Sequence, residues 1–218
     1  MPDLLNTDKN QSFTNDANIL NKIVFQQTFI NIFSTIAISF LVILSRHADY
    51  IWFGNNIGEK SVTEIMQLLM LVITTVCFYR LISVASVKSA AILVSGFFSV
   101  LMIRESDSFL DQIGHGFWVY PALVMTALAV ISAAYNRRIM GDFTQLLRVP
   151  SMQSLIYATV FLLVFSRLYG MGDFWKVVMG DLYTRDVKNI SEETIELLFY
   201  SSIAFNAFKT CSTFKFKK

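Results

Sequence analysis

Six stretches rich in apolar residues are separated by short polar gaps, and the gaps alternate in the sign of the charge they carry. The stretches are 24–45, 65–81, 84–103, 117–135, 152–169 and 194–208. A hydrocarbon core of about 30 Å takes about 20 apolar residues in a helix. Within lipid every backbone polar group must be bonded internally, so stretches of this kind are helical. Only 16% of the residues are charged, well under the roughly 25% of soluble domains. The expected fold is therefore all-α, a polytopic membrane bundle of six transmembrane helices over 24–208. A polar segment, 1–23, precedes it and a basic tail, 209–218, follows. The polar start contains no short apolar core with a small-residue cleavage site, so the first span is expected to act as an uncleaved anchor.

Charge fixes the expected orientation. With the amino terminus inside, the cytoplasmic gaps hold Lys9, Lys22, Arg80, Lys88, Arg137, Arg138, Arg148, Lys209, Lys215, Lys217 and Lys218 against four acids, Asp3, Asp8, Asp16 and Asp142. The opposite side keeps the remaining seven bases and twelve acids. Short-loop Lys and Arg resist translocation, so both termini are expected in the cytoplasm, with the Asn136-Arg137-Arg138 turn the firmest anchor. Residues 174–183 are amphipathic and too short to span, as expected of an interfacial helix on the outer side.

The acidic outer side carries the candidate functional residues. Ser61-Val62-Thr63-Glu64 fits a capping box, in which hydroxyl and carboxylate satisfy orphan N–H groups at a helix start. Glu192 and Glu193 suit a first helical turn. Glu196 lies deeper, where a charge is costly and faces a partner or a wet cavity. Arg167, near the outer end of the fifth span, is its natural partner, through either Glu196 or Glu193. Arg104 and Glu105 would close the same network.

Asp107, Asp111 and His115 recur every four residues and would share one face of a continuous helix. Mixed carboxylate and imidazole ligands suit zinc or a similar divalent metal, completed by His47, Glu64 or Glu193; the same run also reads as a solvated acidic loop ended by Gly114 and Gly116. Neither Cys77 and Cys211 nor the two histidines form a metal or disulfide signature, and HExxH is absent. The spans contain no Asp, Glu, Lys or His away from their ends, which argues against a proton-driven transporter. Ser95, Gly96 and Ser99 form a strip suited to close helix packing. Nucleic-acid modules are absent.

Glu64 at a helix start, Arg104-Glu105-x-Asp107, His115-Gly116-x-Trp118 and Glu192-Glu193-x-x-Glu196 together resemble a family of uncharacterised six-span proteins of bacterial inner membranes. The resemblance implies that location and no activity. Alkaline ceramidase-like membrane hydrolases also gather acids and histidines at one membrane face, but this chain lacks their histidine set.

Three functional expectations follow. The first is a non-catalytic inner-membrane subunit or sensor whose outer charged network (Glu64, Arg104, Glu105, Arg167, Glu193, Glu196) binds a protein partner or second copy, a lipid headgroup, or an ion. The second is a membrane-embedded hydrolase or transferase with a divalent metal on Asp107, Asp111 and His115 and with Glu193 or Glu196 as general base. The third is a small channel or carrier lined by Asn31, Thr74, Thr75 and Tyr157.

Overall fold

In a computed structural model the chain is all-helical, and the structure describes residues 3–53, 61–135 and 138–215, with side chains over 18–52, 61–135 and 138–214. The chain divides into two compact units, Met1–Phe40 and Leu41–Lys218. Nine α-helices lie among the described residues: α1 Asp3–Phe53, α2 Val62–Leu81, α3 Lys88–Glu105, α4 Asp107–Leu110, α5 Val119–Ala134, α6 Ile139–Leu147, α7 Pro150–Gly170, α8 Gly172–Met179 and α9 Arg185–Lys215.

Three of these are long and apolar enough to cross a membrane, at Asn18–Trp52, Val62–Leu81 and Pro150–Gly170, or four if Val119–Ala134 and Ile139–Leu147 form one broken span. This is fewer than the six expected, for identifiable reasons. α3 carries Lys88, Arg104 and Glu105 at its ends. α5 has 16 residues, about 24 Å at 1.5 Å per residue. The apolar run of α9 is diluted by Glu196, Asn206 and Lys209. The first unit presents exposed Phe25, Phe29, Phe33 and Phe40, a face that water would not tolerate as a contiguous patch but lipid would.

In the second unit α9 packs along α7 and α2, α2 along α3, and α3 along α5. The core runs through these faces: Leu71 and Phe78 of α2, Phe98 of α3, Leu155 and Leu162 of α7, Ile203 and Ala207 of α9. Phe78 and Phe98 stack with centroids 6.1 Å apart. Gly96 permits the closest approach, since a Cβ there would lie 2.5 Å from the Ala129 Cβ. The small-residue strip is thus a packing device, as its composition implies.

The gap after the fourth stretch, expected to be a loop, contains α6. Its apolar Ile139, Phe143 and Leu146 recur at helical spacing and Leu146 is fully buried. Asp142, expected among the cytoplasmic acids, is buried, and its carboxylate accepts the Ser89 N–H at 2.8 Å, satisfying a donor left over at the start of α3. Ser151 and Thr210 share a hydrogen bond at 2.8 Å that ties the start of α7 to the end of α9. Asn136 and Arg137 of the basic turn, and Phe216, Lys217 and Lys218 of the tail, lie outside the described residues. The interfacial segment forms α8 followed by a 3₁₀ turn, Gly180–Leu182. It is pinned by the Trp175 indole N–H, which donates to the Tyr169 carbonyl at 2.7 Å, and Gly180 at φ +56 ends it.

Candidate functional site: an acidic cavity

The site begins where α2 starts. Ser61 is the N-cap, its hydroxyl accepting the Glu64 N–H at 3.1 Å, which is the Ser half of the expected capping box. A second cap arrives from α1. The fully buried Asp49 carboxylate accepts the N–H groups of Val62, at 2.5 Å, and Thr63, at 3.2 Å, and the Thr63 hydroxyl. A carboxylate at this position also meets the positive end of the helix dipole.

Arg46, one turn earlier on α1, compensates that buried charge at 3.4 Å and reaches on to Glu193 of α9 at 2.9 Å. The Gln67 amide donates to the Glu193 carbonyl at 3.0 Å, so α1, α2 and α9 are joined at one point. Burial pushes the Glu193 carboxyl above its ordinary value, against the pull of the Arg46 guanidinium. The end of α3 is tied in separately, by the Tyr200 hydroxyl donating to Glu105 at 2.8 Å.

Between these ties is a cavity of about 260 Å³ lined by Glu64, Glu105, Asp107, Asp111, Glu193 and Glu196, with Gln67 and Ser108. Six carboxylates from α2, α3, α4 with the turn after it, and α9 thus face one space. Glu196 is only 8% exposed, and no hydrogen bond or ion pair among the described residues reaches its carboxylate. Closely spaced carboxylates repel, so their combined charge calls for protons or a bound cation.

Several expectations are corrected here. Arg167 is exposed and pairs with neither Glu193 nor Glu196 among the described residues; Arg46 takes Glu193 instead. Glu192 and Glu193 are not in a first turn, because α9 begins at Arg185, and Glu192 bonds Lys188 at 2.9 Å. Asp107, Asp111 and His115 do not share a helix face. α4 ends at Leu110, and Asp111 turns back to accept the Gly116 N–H at 2.9 Å, with Gly116 at φ +77. Asp111 and His115 do approach to 3.4 Å, but the His115 side chain is fully exposed. No three His, Cys, Asp or Glu side chains among the described residues are grouped to hold a metal ion, and His47 is exposed.

Of the expected channel lining, two residues of the second unit can be placed. Tyr157 is exposed, and the Thr74 hydroxyl donates to the Met70 carbonyl at 2.8 Å. Arg104 is close enough to act electrostatically on Glu105 and Glu196 without a direct ion pair.

Arg46, Asp49, Gln67 and Tyr200 are the site residues that sequence reasoning passed over. Two spacings would have flagged three of them: Arg46 and Asp49 are three apart at the end of an apolar run, and Tyr200 is four after Glu196, one helical turn away.

Fold and site together define an all-helical protein, with three or four helices apolar enough to cross a membrane, that gathers carboxylates from four parts of the chain around one cavity. No family model, curated protein or solved structure matches the chain.

Proposed function

We propose that this is a multi-pass protein of a bacterial inner membrane, with six helical crossings and both termini cytoplasmic, acting as a non-catalytic binding subunit or sensor whose outward cavity takes a cationic ligand. The observation that carries the binding reading is the convergence of six carboxylates on one space, with Arg46 and Tyr200 each engaging only one of them by hydrogen bond. Two clusters support the topology. The end of α3 and the start of α2 meet in the cavity, whereas the start of α3 meets α6 through Asp142 and the start of α7 meets the end of α9 through Ser151. Residues expected on one side thus meet one another and not those of the other side. A set of convergent carboxylates in which no three side chains among the described residues are grouped as metal ligands favours binding over metal-assisted hydrolysis.

Topology is tested by single cysteines in a Cys77→Ser, Cys211→Ser background. A cysteine replacing Asp107 should react with a membrane-impermeant maleimide on intact spheroplasts, and one replacing Gln145 only after lysis. The reverse pattern overturns the orientation. For binding, the full-length protein extracted in mild detergent should carry a bound cationic species in native mass spectrometry, which Glu64→Gln, Glu193→Gln together remove. A bare, unliganded protein that binds no added inorganic or organic cation argues against the reading.

A further inference from the structure

We infer that the cavity selects a small organic cation carrying primary ammonium groups, with Glu196 as its anchoring carboxylate, rather than a bare metal ion. This rests on reading the cavity as a cation site and names the class of ligand. The acidic cluster alone would say little, since solvated carboxylates are common. Glu196 is the independent observation. It is 8% exposed, lines the cavity, and has no hydrogen-bond or ion-pair partner among the described residues, whereas Glu105 has Tyr200, Glu193 has Arg46 and Asp111 has Gly116. The Glu196 carboxylate oxygens open onto the cavity and not onto a protein donor among the described residues, so the group able to satisfy them is one held in that cavity.

The chemistry of that ligand follows from the arrangement of donors and acceptors. A hard divalent ion needs several oxygens drawn in to about 2.0–2.6 Å, and no three of these side chains are grouped in that way. The carboxylates instead surround about 260 Å³, room for a ligand of roughly ten non-hydrogen atoms or fewer. An ammonium group presents three N–H donors and no acceptor, the complement of a wall whose charged members all accept. Two ammonium groups on a short chain would reach separate carboxylates, Glu196 at the buried end and the exposed Asp107 at the mouth. The Gln67 and Ser108 side chains in the same lining add neutral acceptors.

The test uses the full-length protein in nanodiscs and isothermal titration with four probes: 1,4-diaminobutane, its neutral counterpart 1,4-butanediol, Mg²⁺ and Ca²⁺. The diamine should bind and the diol should not. Glu196→Gln should weaken the diamine about tenfold, as expected for one lost charge-assisted bond, while Asp173→Asn, at a surface pair with Lys176, should leave it unchanged. If Glu196→Gln does not reach the native state, Asp107→Asn at the exposed mouth takes its place, with a weakening of about threefold expected. Diamine affinity unchanged in the folded variant overturns the inference. A site that binds Mg²⁺ or Ca²⁺ in a Glu196-dependent way but not the diamine also overturns it and leaves the cation-binding reading standing. If no cation binds, both fall.

Discussion

Replacing Arg46 by Ala should destabilise the protein by about 3 kcal/mol, and the structure allows that figure to be assembled. The guanidinium makes a charge-assisted bond to Glu193 at 2.9 Å, and such bonds contribute about 1.5–3 kcal/mol. Its approach to Asp49, at 3.4 Å, is longer and adds about 1 kcal/mol at most. Solvent screening takes little away, because the side chains of Arg46, Glu193 and Asp49 are 14%, 17% and 0% exposed. Breaking a buried pair costs about 3–5 kcal/mol when the abandoned charge has nothing else. Asp49 retains Val62 and Thr63, which places this case at the low end. Arg167→Ala, at an exposed side chain with no ion pair among the described residues, should stay within about 0.5 kcal/mol of the parent protein. Reversible unfolding in mixed micelles on titration with SDS measures both. A double-mutant cycle of Arg46→Ala with Glu193→Gln should return a coupling of at least about 1 kcal/mol. Near-parental stability of Arg46→Ala, or an equal loss in Arg167→Ala, would refute the assignment of Arg46 as the cation that holds α1, α2 and α9 together.

Three further outcomes are expected. Gly96→Ala places a methyl 2.5 Å from the Ala129 Cβ and should cost about 1–3 kcal/mol by overpacking, with Ala129→Gly restoring much of it in the same unfolding assay; an additive pair of losses would count against the close α3–α5 contact. Asp142→Ala removes the acceptor for the Ser89 N–H and should cost about 1 kcal/mol, as loss of a helix cap does, whereas Asp142→Asn, which keeps an acceptor oxygen, should cost less. The Glu193 carboxyl, facing Arg46, Asp49 and Glu192, has its folded value raised above the ordinary 4.5. Its contribution to stability is therefore fullest below pH 4.5 and is lost as pH rises through the raised folded value. Glu193→Gln should flatten that part of the stability profile, and an unchanged slope would show that other groups set it.

Hydropathy and charge located the helices well because both are local properties of the chain. Gaps 46–64 and 104–116 contain Arg46, Asp49, Glu64, Glu105, Asp107 and Asp111 of the site, whereas Gln67, Glu193, Glu196 and Tyr200 come from α2 and α9, and 136–151 contains Asp142 and Ser151. Length and apolarity served less well where they were diluted. α9 runs from Arg185 to Lys215, although only its middle reads as a span, because its first turns are charged and are stabilised by pairs such as Lys188 with Glu192. α6 was hidden for the opposite reason. Nine residues of amphipathic helix between basic anchors look like a loop to any window wide enough to find a span.

The site was legible as a set of acids but not as a set of partnerships, and the difference is one of dimension. Spacing along a helix says which side chains share a face, which is how Glu193 and Glu196 were associated; it does not say which cation from another helix arrives opposite them. Arg167 and Arg46 both end apolar runs on the same expected side, and nothing local separates them. What separates them is Asp49. A carboxylate buried to serve the orphan N–H groups of α2 needs a compensating charge, and the residue one turn before it on the same helix is the cheapest source because α1 already fixes its position. Once Arg46 is held there, the same Nη1 reaches Glu193, Arg167 remains exposed, and Glu196 is left as a buried carboxylate with no hydrogen-bond or ion-pair partner among the described residues. The cap on α2 thus determines which acid in the cavity is available to a ligand.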